Sequence, residues 1–241
     1  MRLTGFKTLT FDCYGTLIDW ESGIWTALQP LLGKGGPDPG RDRVLAAFGR
    51  YESAQQAATP GLLYPALLAS VHKQLAEHLG VATNPAMDAR FGASVPDWPA
   101  FADSAEALAA LKRQFKLVIL SNVDRAGFAA SNRRLGVAFD AVYTAEDIGS
   151  YKPAPANFAY LLDHVKDDLG LDKGDILHTA QSLFHDHAPA KDVGLATCWI
   201  DRRKGQDGWG ATMAPPEGVR TDFHFASLAE LAAAVEAEAG S

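Results

Sequence analysis

Cysteine is scarce in this sequence: two of 241 residues. That excludes a disulfide-stapled scaffold. Both thiols, Cys13 and Cys198, sit in apolar, strand-like settings and are expected to be buried and free. Long hydrophobic runs are also missing. No apolar stretch approaches the ~18 residues of a membrane span, and the opening MRLTGFKTLTF lacks the apolar segment of a signal peptide. A cytoplasmic protein with no membrane partner is expected. There is no basic block, and 22 Lys and Arg against 29 Asp and Glu leave a net charge of −7. Such a chain is a poor partner for nucleic acid. It remains compatible with a small anion, because a local pocket can be positive on a negative protein. Internal repeats are absent, and the only biased tract is an Ala-rich C-terminal helix.

What is present is ordinary globular material. At 47% hydrophobic and 21% charged residues, the chain can bury one large core or a core with an insert. Lys7 to Phe11, Leu117 to Leu120, Ala141 to Thr144, Asp175 to Ala180 and Leu195 to Ile200 read as strands. They lack clean alternation, as strands buried on both faces of a parallel sheet do. Between them lie helical patterns at Ser104 to Lys112, Asn157 to Val165 and Ala188 to Val193, the first with an N-cap candidate at Asp103 or Ser104. This order predicts an α/β fold with a doubly wound parallel-sheet, Rossmann-like core and right-handed crossovers. Residues 17–96 break the pattern. They hold a Gly/Pro loop, GKGGPDPG at Gly33 to Gly40, among helical segments Ile24 to Leu32, Val44 to Ala58 and Leu67 to Leu79. The expected division is a core of 1–16 and 97–241, with 17–96 a helical cap inserted after the first strand.

Polar residues collect where the apolar runs end. Asp12 is followed by Cys13-Tyr14-Gly15-Thr16, the second run ends in Ser121-Asn122, and Lys152-Pro153 follows Tyr151. Gln181, Ser182 and Asp186 follow the fourth run. Each alone is weak, since an Asp before a Gly-containing turn is most often a turn residue. In a parallel sheet, however, these strand ends share one edge, and the groups can converge there.

These segments resemble the four motifs of the haloacid dehalogenase superfamily, in order: FDCYGTLIDWE, LSNVD, YKPAP and AQSLFHDHAPAKDVGL. Within it the chain is most similar to the 2-haloacid dehalogenases. The resemblance implies an α/β core with a helical cap at 17–96 and a small anionic substrate. It makes Asp12 a nucleophile that forms a covalent ester, which water then hydrolyses. It implies that Lys152 keeps Asp12 ionised and that Asp186 holds Lys152 or orients water. Thr16 and Ser121 would position the nucleophile or the substrate, and Asn122 would offer amide donors. Tyr14, Gln181 and Ser182 complete the expected substrate-binding set. A homodimer is common among similar enzymes.

Departures from the motifs choose between branches. Phosphatases of the superfamily usually carry a second Asp two residues after the nucleophile, to protonate an alkoxide; here that position is Tyr14. A halide leaves as a stable anion and needs no proton. Phosphatases also need Mg²⁺, held partly by a motif-four carboxylate; the matching Gln181 is a poor ligand for a hard cation. No cofactor is therefore expected. The alternative is a Mg²⁺-dependent phosphatase with Asp12 and Asp186 as ligands, and a non-catalytic binder on the same scaffold comes third. Against the dehalogenase reading, Gln181 and Leu183 occupy positions where those enzymes carry Ser and Asn, and Phe158 replaces a Tyr. Those enzymes also use a cap Arg; Arg50 is the first candidate here and Arg43 the second, with a solvated helix charge nearly as good an account of Arg50. His178, His185 and His187 match no zinc spacing and read as supporting or surface residues. Trp20, Trp98 and Phe101 read as packing residues near the cap's edges.

Overall fold

The computed structural model describes residues 1–33 and 40–240. The interior of the expected Gly33 to Gly40 loop lies outside the described residues. The chain opens with β1 (Thr8–Phe11), followed by four helices: α1 (Trp20–Leu32), α2 (Arg41–Ala58), α3 (Tyr64–Leu79) and α4 (Pro85–Gly92). Next come α5 (Ser104–Leu111), β2 (Lys116–Ser121), α6 (Arg125–Leu135), β3 (Ala141–Thr144) and the single turn α7 (Ala145–Ile148). The remainder carries α8 (Pro155–Leu169), β4 (Ile176–Ala180), α9 (Ala188–Asp192), β5 (Ala196–Ile200), β6 (Phe223–Phe225) and α10 (Leu228–Ala239).

The six strands form one parallel sheet in the order β3-β2-β1-β4-β5-β6. This is the expected doubly wound architecture. The missing alternation has its cause here. Leu117 and Ile119 of β2 pack into one apolar cluster, while Val118 and Leu120 pack into a second. Successive side chains point to opposite faces, so both faces of the sheet are covered. The Thr residues of β1 are tolerated inside because their hydroxyls are paired: Thr8 donates to the Lys116 carbonyl, and Thr10 meets His178 Nδ1 at 2.8 Å.

The order also fixes where a site can form. From β1 the chain winds outward through β2 and β3, then returns to lay β4 on the other side of β1. A crevice opens at such a reversal, beyond the carboxyl ends of the strands. Phe11 pairs with both Ile119 and Thr179, so the residues just after β1, β2 and β4 emerge level with one another.

Residues 17–96 hold no strand among the described residues, as expected. The structure adds α4, α6, α7 and β6, which the patterning did not suggest. One cap expectation changes: Asp103 precedes α5 but makes no side-chain bond to its N-terminus. Its carboxylate instead takes both bonds from Arg202 Nη1, at 2.8 and 3.0 Å. Arg202 also donates to the Thr16 carbonyl at 2.9 Å and lies over the Phe101 ring. No described helix is long and apolar enough to cross a membrane.

Candidate active site

Asp12 is the first residue past β1, and its backbone N–H still donates to the Thr179 carbonyl at 3.1 Å. Gly15, with φ +94°, turns the chain back; a Cβ there would meet the Trp20 indole nitrogen at 3.0 Å. Only glycine adopts this conformation without strain. The turn returns Thr16 to Asp12. Its hydroxyl donates to Asp12 Oδ2 at 2.7 Å and accepts from the Gln181 backbone N–H at 2.9 Å. The end of β1 is thereby tied to the end of β4.

Lys152 reaches in from the loop after α7. Its ammonium donates to Asp12 Oδ1 (2.9 Å), Asp186 Oδ1 (2.6 Å) and the Leu120 carbonyl (2.9 Å). All three protons are engaged, which is what a fully buried ammonium requires. Asp186 Oδ1 also meets His178 Nε2 at 3.0 Å, and His178 rests on Thr10 and on the edge of the Phe158 ring. Burial works against every charge in this group. For Lys152 the two carboxylates outweigh it, and the amine stays above its ordinary pKa. Asp186 is held well below the carboxylate range because Lys152 and His178 overcome its burial. Asp12 is pushed up by burial and by Asp186, and pulled down by Lys152 and Thr16.

Of the other expected site residues, Asn122 is committed to positioning. Its amide donates to the Lys152 carbonyl (2.9 Å) and accepts from the Lys152 N–H (2.7 Å), which holds the lysine loop against β2. The Tyr14 hydroxyl meets Ser131 Oγ at 2.9 Å and its ring packs edgewise on Trp98. Ser121 is buried with no partner on its hydroxyl. Ser182 Oγ accepts from the His185 N–H and lies 3.2 Å from both His185 Nδ1 and Thr212 Oγ1. All three histidines are buried, not on the surface. Burial pushes His185 and His187 down to about 4, so both are neutral near pH 7, and His187 is tied to the Ala180 carbonyl.

These groups close around a cavity of about 30 Å³ lined by Asp12, Tyr14, Asn122, Lys152, Gln181, Ser182 and Asp186. Its roof is formed by Glu52 and Gln56 of α2 and Tyr64 of α3, with His185, Thr212 and Trp20 at the sides. Trp20 and Gln181 also border an outer cavity of about 290 Å³ that carries Arg41, Arg202 and Arg203. Trp20 is therefore a wall as well as a packing residue. The Arg50 expectation is corrected: Arg50 is exposed on α2 and does not line the cavity, and Arg43 is exposed as well. The helix phase presents Glu52 instead. Neighbouring Gly49 lets α2 lie against the segment that carries Thr212; a Cβ there would stand 2.3 Å from the Ala211 carbonyl oxygen.

Glu52 also lines the cavity, at a position the sequence did not single out. It is 2% exposed, and Oε1 accepts a 2.6 Å bond from the Tyr64 hydroxyl. Burial, reinforced by Asp12 and opposed by the Tyr64 bond, pushes its carboxyl up to about 7. A signal was available: Leu45, Phe48, Glu52 and Gln56 fall on one stripe at helical spacing, and a charge on an apolar stripe is unusual.

The donor set suits Mg²⁺ poorly. Asp12 gives one oxygen to Lys152 and the other to Thr16, and Asp186 Oδ1 is shared by Lys152 and His178. Gln181 stands where a further carboxylate would be needed. Among the described residues, no cluster of three or more His, Cys, Asp or Glu is arranged to hold a metal.

A family model described as haloacid dehalogenase-like hydrolase matches residues 6–178. The (S)-2-haloacid dehalogenase of Pseudomonas sp. (strain YL) is 29% identical over 218 residues, covering 81% of this chain and 83% of that protein. The L-2-haloacid dehalogenase of Xanthobacter autotrophicus, solved with chloropropionic acid covalently bound, superposes with TM-score 0.76 at 19% identity, over 96% of this chain and 98% of that one. A HAD-hydrolase, YfnB from Bacillus subtilis, solved bound to magnesium, gives 0.74 at 18%, over 98% of this chain and 100% of the other. A chain solved with magnesium and one solved with a covalent haloacid share this fold, so the fold alone does not choose between them.

Proposed function

The chain belongs to the haloacid dehalogenase-like hydrolase family, and from that premise we propose a metal-independent hydrolase that displaces halide from a small 2-haloacid, with residues 17–96 as its cap. Asp12 is the nucleophile. One of its carboxylate oxygens attacks the halogen-bearing carbon; the carbon–halogen bond breaks and halide leaves with the bonding pair. The product is an ester of Asp12. Water then adds to the ester carbonyl, which releases the hydroxy acid and restores Asp12. Asp186 Oδ2, buried without a partner, can accept a hydrogen bond from that water and orient it. Thr16 and Asn122 position Asp12 and Lys152, while Tyr14, Ser121, Gln181 and Ser182 shape the site.

The observation that carries this reading is the three-point seating of Lys152 between Asp12 and Asp186. This fixed cation offsets the charge of an anionic substrate beside Asp12, while Gln181 in place of a metal-holding carboxylate and Tyr14 in place of an acid suit displacement of a leaving group that needs neither metal nor proton. Paired assays test it: halide release from 2-haloacids and phosphate release from a generic ester, each with and without Mg²⁺. Halide release unaffected by EDTA is expected. Mg²⁺-dependent phosphate release with no halide would overturn the reading.

A further inference from the structure

The roof of the site offers no cation to an anionic substrate. Arg50 and Arg43 point to solvent, and among the described residues the only cation lining the inner cavity, Lys152, has no proton to spare. Two carboxylates and one ammonium on the floor leave one net negative charge where a carboxylate-bearing substrate must bind. Directly above them stands Glu52, fully inside the protein. Tyr64 fills its Oε1, and no described residue hydrogen-bonds its Oε2.

From this geometry we infer that Glu52, as a neutral carboxylic acid, is the substrate-binding group of the roof: it donates its one proton in a hydrogen bond to the substrate's carboxylate. The inference rests on the haloacid reading of the site and names how that site accepts an anion. No proton is transferred; the acid keeps it, and halide departs unassisted. Ionised, the same residue would bring a second uncompensated negative charge into the cavity and exclude the substrate. The groups that face Glu52 favour the neutral form. Asp12, at the end of β1, repels its charge; Tyr14 and Tyr151 are phenols, and His185, beyond β4, is neutral near pH 7. Lys152 is saturated by Asp12 and Asp186, and only the Tyr64 hydroxyl on α3 favours the carboxylate. Burial wins, with a carboxyl pKa of about 7. Substrate binding is therefore coupled to proton uptake near neutral pH.

The test uses the intact protein and lactate, the hydroxy acid that 2-chloropropionate would yield. Titration calorimetry in two buffers of different ionisation enthalpy gives protons taken up per lactate bound. Uptake should approach one proton above pH 7, with affinity falling about tenfold per pH unit there. Glu52→Gln keeps a neutral donor of the same shape. It should bind lactate with no proton uptake and no alkaline loss of affinity. Tyr64→Phe removes the bond that favours the ionised form, so its alkaline limb should move to higher pH. Proton uptake that persists in Glu52→Gln would overturn the inference, as would the absence of lactate binding at every pH from about 5 to 9. A folded Glu52→Gln protein that binds lactate normally but is inactive would also overturn it, since Glu52 would then be transferring a proton. If lactate binding shows the expected linkage but no 2-haloacid is turned over, the haloacid reading fails and the role of Glu52 stands.

Discussion

The floor and the roof of this cavity are built on opposite principles. On the floor, at the ends of β1, β2 and β4, every charge is paired: Lys152 serves Asp12, Asp186 and a backbone carbonyl, and Asp186 is shared with His178. On the roof, α2 and α3 present a carboxyl group, an amide and a phenol, with no ion pair among them. The floor can hold fixed charge because backbone and side-chain partners surround it. On the roof, burial instead pushes the Glu52 carboxyl up to about 7, favouring its neutral form, as for an isolated carboxyl group whose charge nothing compensates. A floor of fixed ions suits a step that must proceed at a constant potential. A roof that titrates suits admission, which can then follow pH.

The contrast breaks most severely at Asp12. Asp12→Asn keeps the shape and the Lys152 contact but replaces the nucleophile with an amide, and hydrolysis should vanish whatever the substrate. Rapid-quench mass analysis should show no ester. Persistent activity, after correction for deamidation, would remove Asp12 from the mechanism.

Lys152→Met comes next. At an effective dielectric of ~20, unit charges ~4 Å apart interact by roughly 4 kcal/mol, so losing the ammonium should slow turnover about a thousandfold. Lys152 pulls the pKa of Asp12 down. Without it the acidic limb of kcat/KM should move to higher pH. A near-parental rate with an unmoved limb would show that the floor does not depend on its cation.

Glu52→Gln sharpens the contrast through stability. The folded-state carboxyl is raised from 4.5 to about 7, so the folded protein holds a proton that the unfolded chain releases. Its contribution is fully present below pH ~4.5 and is lost as pH rises to ~7, with a ceiling of about 3 kcal/mol. Denaturant titrations should find Glu52→Gln close to the parent at pH ~5 and more stable than it at pH ~8. Equal stabilities at both values would mean that Glu52 is ionised throughout.

The smallest expected effect is none. Saturating EDTA should leave halide release unchanged, because Lys152 rather than a metal bridges Asp12 and Asp186. Loss of activity on chelation, restored by Mg²⁺, would show that the floor needs a metal after all.

The two regions also differed in how far the sequence disclosed them. Asp12 and Asp186 follow apolar runs that could be located from composition, and sheet topology carries such ends to one edge; Lys152 comes from a loop beyond β3 and α7, marked in the sequence by Tyr151 and Pro153. The roof depends on helix phase. Arg50 and Glu52 are two residues apart on α2, about 200° around the axis, and only packing against α1, α3 and the 211–212 segment decides which of them faces inward. Charge type misled as well, since an arginine opposite an anionic substrate is the simpler electrostatic guess. In the fold, α4 and β6 were hidden by their shortness and α6 by its polar composition, RAGFAASNRRL; β6 has three residues, and its pairing with β5 defines it more than its composition does. The partners of Asn122 were equally hidden, because its reciprocal bonds to Lys152 join positions thirty residues apart.

The chain leaves the sheet after β1 and comes back before α5, and these two crossings touch. Ile18 bridges Ala100 in antiparallel fashion, Asp19 N–H donates to the Pro99 carbonyl at 2.8 Å, and Phe101 N–H donates to the Leu17 carbonyl at 3.1 Å. Everything from 19 to 99 is thus an excursion with its ends fastened together. Such a cassette can be exchanged without rethreading the sheet, and because loop-closure entropy grows only with the logarithm of length, its replacement can be longer or shorter at little cost. A chimera that keeps the two crossings and takes its helices from a relative would carry this floor beneath a different roof, so the roof can change by recombination at two adjacent seams while the sheet and its buried charges stay as they are.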